Sequence, residues 1–194
     1  MISKLSAKLT EKLLLKQRIA EDERELYIYG YFIFLSHLLY LILAVVFGLL
    51  LGCFFESIIF YIAFQFIRRT AGGYHASTEI RCEIISTLSI FASIILIKLS
   101  KIYSFEMKLL FITLVSTIAI FTICPLDTPE KPLSEKEFKY FQKKTWFILF
   151  VLSSVVLVSY FLRLNLFFAP CCISLILESI LLILGKLKKL KKVR

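Results

Sequence analysis

The sequence predicts an all-α polytopic membrane protein with about six transmembrane helices and an N-terminal amphipathic helix at the interface. Three observations predict it. Hydrophobic residues make up 59% of the 194, nineteen of them Phe, and mean hydropathy is +0.83, far outside the range of a soluble domain. The apolar residues are gathered into runs comparable to the roughly 20 residues that cross a bilayer core. The basic residues cluster between alternate runs, as cytoplasmic loops require.

The first 25 residues carry Ile2, Leu5, Leu9 and Leu13 at helical spacing among Lys4, Lys8, Lys12 and Lys16. That pattern predicts a helix lying on the membrane surface, serving as an anchor or as a substrate-docking surface. The first apolar stretch begins near Leu26 and is too long for a signal-peptide core, so the start of the chain is expected to stay in place. Leu26 to Ile67 is almost free of charge and long enough for two passes, turning within Gly48 to Glu56. Further spans are expected over about Ile84–Ile97, Leu109–Cys124, Trp146–Leu162 and Leu164–Leu184. The whole of 1–194 then reads as one membrane domain: spans within 26–184, a polar loop at about 68–83, a proline-rich loop at 125–145, and a basic tail at 185–194.

Twenty of the 24 Lys and Arg fall in the N-terminal segment, the two loops and the tail, all on one side of such a fold. Both termini and both loops are therefore expected in the cytoplasm. Lys98, Lys101 and Lys108 crowd an outer connector and fit this topology least well. The net charge of +10 follows from topology without nucleic acid, and favours anionic inner-leaflet lipid or an acidic peptide.

Five cysteines, at 53, 82, 124, 171 and 172, show no metal-ligand spacing, and there are two histidines. Neither a metal nor another cofactor is expected. Four of the cysteines lie within or at the ends of apolar runs, where thiols act as small hydrophobes. Cys82 instead lies between Arg81 and Glu83, in the polar segment Arg68-Arg69-Thr70-Ala71-Gly72-Gly73-Tyr74-His75-Ala76-Ser77-Thr78-Glu79-Ile80-Arg81-Cys82. On one straight helix His75 and Cys82 would share a face but stand about 10.5 Å apart along the axis, too far for a proton to pass between them directly. Gly72-Gly73 as a hinge, with Ser77 or Thr78 as the N-cap of the next helix, would let the backbone fold back. A cysteine in the first turns of that helix, beside arginines, is placed to act as a thiolate nucleophile, with His75 as its base.

Arg68-Arg69-x-Ala-Gly-Gly-Tyr-His75 followed by Cys82, in a basic chain of this length and apolarity, resembles the accessory gene regulator B (AgrB) family. Pro125-Leu126-Asp127-Thr128-Pro129-x-Lys131-Pro132 resembles the proline-rich cytoplasmic loop after that family's fourth span, and the likeness covers essentially the full chain. The resemblance implies a membrane cysteine endopeptidase of bacterial quorum sensing. Such an enzyme cuts an AgrD-like propeptide on the C-terminal side of its signal core and holds the core as a thioester until an internal thiol closes a thiolactone. It implies Cys82 as nucleophile and His75 as general base and then acid, with Arg68 and Gly73 at positions the family also needs. A homodimer is an expectation by analogy.

Other polar residues have two readings each. Glu79 could orient the imidazole or be an exposed first-turn residue, and Asp127 with Lys131 could bind propeptide or shape a turn. His37, mid-span, reads best as a neutral histidine bonded to a neighbouring helix. Glu56 is expected at the outer interface. Glu178 would cost roughly 2.5–3.5 kcal/mol at mid-membrane and should face a partner helix or cavity. A small transporter and a non-catalytic membrane scaffold stay open as alternatives. The first would need charge pairs or broken helices at the midplane, of which Glu178 and Pro170 are the hints. The second leaves Gly72 to His75 and Cys82 without a purpose.

Overall fold

The computed structural model describes residues 2–74, 76, 78–103, 105–127 and 133–193. Its secondary structure there is helical: α1 (Ile2–Leu15), a 3-10 turn (Glu21–Glu23), α2 (Arg24–Leu51), α3 (Phe54–Ala71), α4 (Glu79–Tyr103), α5 (Glu106–Ile123), α6 (Glu135–Phe161) and α7 (Asn165–Val193). Five of the described helices are long and apolar enough to cross a membrane, namely the turn with α2, and α4, α5, α6 and α7. α3 equals α5 in length at 18 residues but carries three charged residues, Glu56, Arg68 and Arg69. The protein is a multi-pass membrane protein, and its many exposed Phe, Leu and Ile side chains, among them Phe34, Leu50, Phe111 and Phe150, are those that lipid would cover.

The chain divides into two compact units, Met1–Leu43 and Ala44–Arg194. In the first, α1 forms where the sequence placed a surface helix. It buries the small hydroxyl residues Ser6 and Thr10 and leaves Leu5 outside, and Arg24, opening α2, forms an ion pair with Glu11.

The second unit is built around α7. Helices α3, α4, α5 and α6 all pack against it, α3 most extensively. A helix surrounded on all sides should be apolar around its circumference, and α7 accordingly buries Phe168, Ala169, Pro170, Cys171, Cys172 and Ile173 one after another. α3 presents a stripe at helical spacing, Ser57, Phe60, Ala63, Ile67, Thr70 and Ala71. Between α2 and α3, Cys53 N–H donates to the Gly48 carbonyl (2.7 Å) and Gly52 N–H to that of Leu49 (3.2 Å), with Gly52 at φ +70°. This is the six-to-one and five-to-two pairing that ends a helix on a left-handed residue, and it falls inside the turn expected at Gly48–Glu56.

Three expected boundaries are corrected. α6 begins at Glu135, so most of the 125–145 loop is helix, started by a capping box in which Ser134 and Glu137 each bond the other's backbone N–H. The basic tail continues α7 to Val193 rather than leaving it near Leu184. The 68–83 loop loses both its ends to helix, since Arg68 to Ala71 end α3 and Glu79 to Glu83 open α4. Lys98 and Lys101 belong to α4 and Lys108 to α5 rather than to a connector, and Lys101 pairs with the buried Glu56 of α3.

Candidate functional site

α3 stops because Gly72 adopts φ +79° and Gly73 φ +135°, conformations that side chains disfavour. The chain therefore turns at the two glycines instead of running on as one helix to Cys82. α4 restarts behind Thr78, whose Oγ1 accepts from Arg81 N–H (3.4 Å) and whose carbonyl accepts from Cys82 N–H (3.1 Å). Thr78 is thus the N-cap, one of the two residues expected in that role. Cys82 stands in the first turn of α4, partly exposed, while Cys53, Cys124, Cys171 and Cys172 are buried; all five are free thiols.

Arg68 organises the turn. Its Nη1 donates to the Gly72 carbonyl and its Nη2 to the Tyr74 carbonyl, each at 2.7 Å, so the planar fork bridges two peptide units with charge-assisted bonds. Gly73 lies between them, and a Cβ there would stand 1.8 Å from Arg68 Nη1. Arg68 and Gly73 are one device: the guanidinium occupies the volume that any side chain at 73 would need.

Two further pieces of chain close on this turn. The segment after α5 runs alongside it, with Leu126 N–H donating to the Ala71 carbonyl at 2.8 Å and Leu126 pairing in parallel with Gly72. From the other side α7 supplies a floor. Its Leu181 carbonyl accepts from Tyr74 N–H at 2.9 Å. A Cβ on Gly185 would come within 2.9 Å of Tyr74 N, 3.0 Å of Gly73 C and 2.5 Å of Leu126 Cδ2. Lys188 Nζ sits 5.3 Å from the centre of the Tyr74 ring. Below Arg68 lies Glu178, 0% exposed, with Oε1 3.8 Å from Nη1.

Of the other residues singled out in the sequence, Glu79 is the exposed first residue of α4. Asp127 accepts from Leu133 N–H (3.2 Å) through Oδ1 and stands 3.5 Å from Lys189 Nζ through Oδ2. His75 and Lys131 lie outside the described residues, as does Ser77. Sequence reasoning noticed Glu178 as a costly carboxylate but did not connect it with Arg68. It placed Leu126 in the proline-rich segment without giving it a contact, and it missed Leu181 and Gly185 altogether; an isolated glycine before a lysine run was the one available signal.

The accessory gene regulator B family matches the chain over residues 3–182. Two Clostridium perfringens proteins named as AgrB-like are similar to it. One, from strain SM101 / type A, is 26% identical over 172 residues, covering 86% of this chain and 80% of its own length. The other, from strain 13 / type A, is 25% identical over 171 residues, covering 85% and 80%. No solved structure matches.

Proposed function

Since the chain belongs to the accessory gene regulator B family, which points to a peptide-processing role in quorum sensing, we propose that it is a membrane cysteine endopeptidase acting on a small AgrD-like propeptide. The observation that carries this reading is the position of Cys82: the one partly exposed cysteine of five, in the first turn of a capped helix, just past a turn fixed by Arg68.

In the proposed reaction, His75 takes the Cys82 proton as the sulfur attacks the scissile carbonyl. A C–S bond forms, and the C–N bond breaks as His75 returns the proton to the departing amine. The signal core is then held as a thioester. A thiol within that core attacks the same carbonyl, its proton passing to the Cys82 sulfur as that leaves, and a thiolactone is released. Sulfur-to-sulfur exchange conserves the acyl-transfer potential that an oxygen ester would lose. Water must be kept from the thioester, which suits a site beside a membrane with Tyr74 under Lys188 at its edge. The basic residues of α1 and of the end of α7 suit anionic lipid or an acidic stretch of the propeptide, and the loop and both termini would face the cytoplasm, where an unexported propeptide is met. A homodimer belongs to the same reading by analogy.

Purified full-length protein in nanodiscs, given a synthetic propeptide, tests this. Wild type should cleave it and accumulate a thioester-linked core. Cys82→Ala and His75→Ala should each abolish cleavage while remaining in the membrane, and retained cleavage in either would sink the assignment.

A further inference from the structure

Glu178 is a carboxylate buried in the central helix of the bundle, and neither of its oxygens has a hydrogen-bond partner among the described residues. Such a group is costly to keep. Among the described residues its partner of opposite charge is Arg68, at 3.8 Å, and that guanidinium also donates to the Gly72 and Tyr74 carbonyls. Two turns further along the same helix, Gly185 lies against the peptide unit between those two, the one joining Gly73 to Tyr74, and between Glu178 and Gly185 the Leu181 carbonyl accepts from the N–H of that same unit. Glu178, Leu181 and Gly185 recur at helical spacing, so one face of α7 meets the turn at three successive points.

We propose that Glu178 and Gly185 are positioning residues, a clamp by which α7 fixes the backbone of Gly73 and Tyr74, the two residues that precede His75 in the sequence. The peptide unit joining Tyr74 to His75 carries the carbonyl that Arg68 holds, and the unit before it carries the N–H that Leu181 accepts. Glu178 sets where the guanidinium sits by charge. Gly185 sets how closely the backbone descends onto the helix, because any side chain there would occupy the space of Tyr74 N. Neither residue reaches the reacting atoms; both act through Arg68 and the turn. The inference rests on the peptidase reading for its kinetic consequence but not for its geometry, so the two can fail separately.

Glu178→Gln keeps the shape and removes the charge, and Gly185→Ala adds the smallest side chain. In nanodiscs each variant should cleave propeptide with kcat lowered about tenfold or more and KM unchanged, as expected when a reacting group is displaced without loss of substrate contacts. Amide exchange supplies a readout independent of activity. The Tyr74 amide should be protected in wild type and exchange at least about tenfold faster in both variants, with α5 and α6 unaltered. Wild-type kcat and wild-type exchange in both variants would overturn the clamp while leaving the peptidase intact. A raised KM at unchanged kcat would overturn it in favour of a substrate-binding role, and faster exchange throughout α5, α6 and α7 would reduce both residues to general packing. Should wild type itself fail to cleave while Tyr74 exchange responds as expected, the peptidase reading falls and the clamp stands.

Discussion

Glycines flank α3, Gly52 in the turn before it and Gly72-Gly73 after it, and the two ends use that residue differently. At the start, Gly52 turns the chain at φ +70° with nothing within 4 Å of where a Cβ would be. At the finish, Gly72 and Gly73 have equally unusual backbones but are also crowded, by the Leu126 carbonyl at 2.8 Å and the Arg68 guanidinium at 1.8 Å from the added atoms. The first end needs glycine for its conformation alone. The second needs it because other groups have been brought into the space. A similar contrast holds for the ion pairs. Glu56 and Lys101 form a hydrogen-bonded pair in which the lysine side chain is 42% exposed, whereas Glu178 meets Arg68 at longer range with no hydrogen bond and no exposure. One end of α3 is tied off as a helix junction commonly is. The other holds its polar groups at a cost that packing alone does not explain.

The strongest way to break this comparison is Gly73→Ala. The added methyl displaces Arg68 from the Gly72 and Tyr74 carbonyls, and propeptide cleavage should fall on the order of 100-fold in protein that still inserts and still exposes Cys82 to alkylation. Near-normal cleavage would mean the crowding at this end has no functional content. Gly52→Ala is the matched control: left-handed strain should cost about 1–2 kcal/mol of stability, seen as a lower unfolding midpoint, with the cleavage rate per folded molecule unchanged. The smallest effect is expected from Glu56→Leu combined with Lys101→Met. Removing both partners of such a pair should change stability by no more than about 1 kcal/mol and leave cleavage alone, and a large loss of activity would show that both ends of α3 serve the site.

Much of the bundle was legible because apolar runs announce themselves. α2, α4, α5 and the membrane part of α7 lie where those runs predicted, and Gly72-Gly73 with Thr78 marked a helix break and restart that the structure contains. Helix boundaries beyond the hydrocarbon were not legible by the same signal. Glu135 to Thr145 is rich in Lys and Glu, so a search for apolar runs passed over the first three turns of α6, although Ser134 and Glu137 spelled out a capping box three residues apart. The last turns of α7 were hidden in the same way by lysines. Least legible were the contacts that assemble the turn. Tyr74 N–H on the Leu181 carbonyl and Leu126 N–H on that of Ala71 join main chain to main chain, and no residue type records where a backbone group will find its partner.

The position of α7 has a consequence in time. Arg68, Gly73 and Cys82 are translated on the order of a hundred residues before Glu178 and Gly185, an interval of roughly ten seconds at ~5–20 residues per second. Throughout that interval a nascent chain has Arg68 and Cys82 without the helix that supports the turn between them. On the proposed peptidase reading, activity is then tied to synthesis: a chain whose α7 has not joined the bundle would carry Cys82 and Arg68 but not the surface proposed to align the turn between them. On that reading, propeptide would meet working enzyme only after α7 has come in.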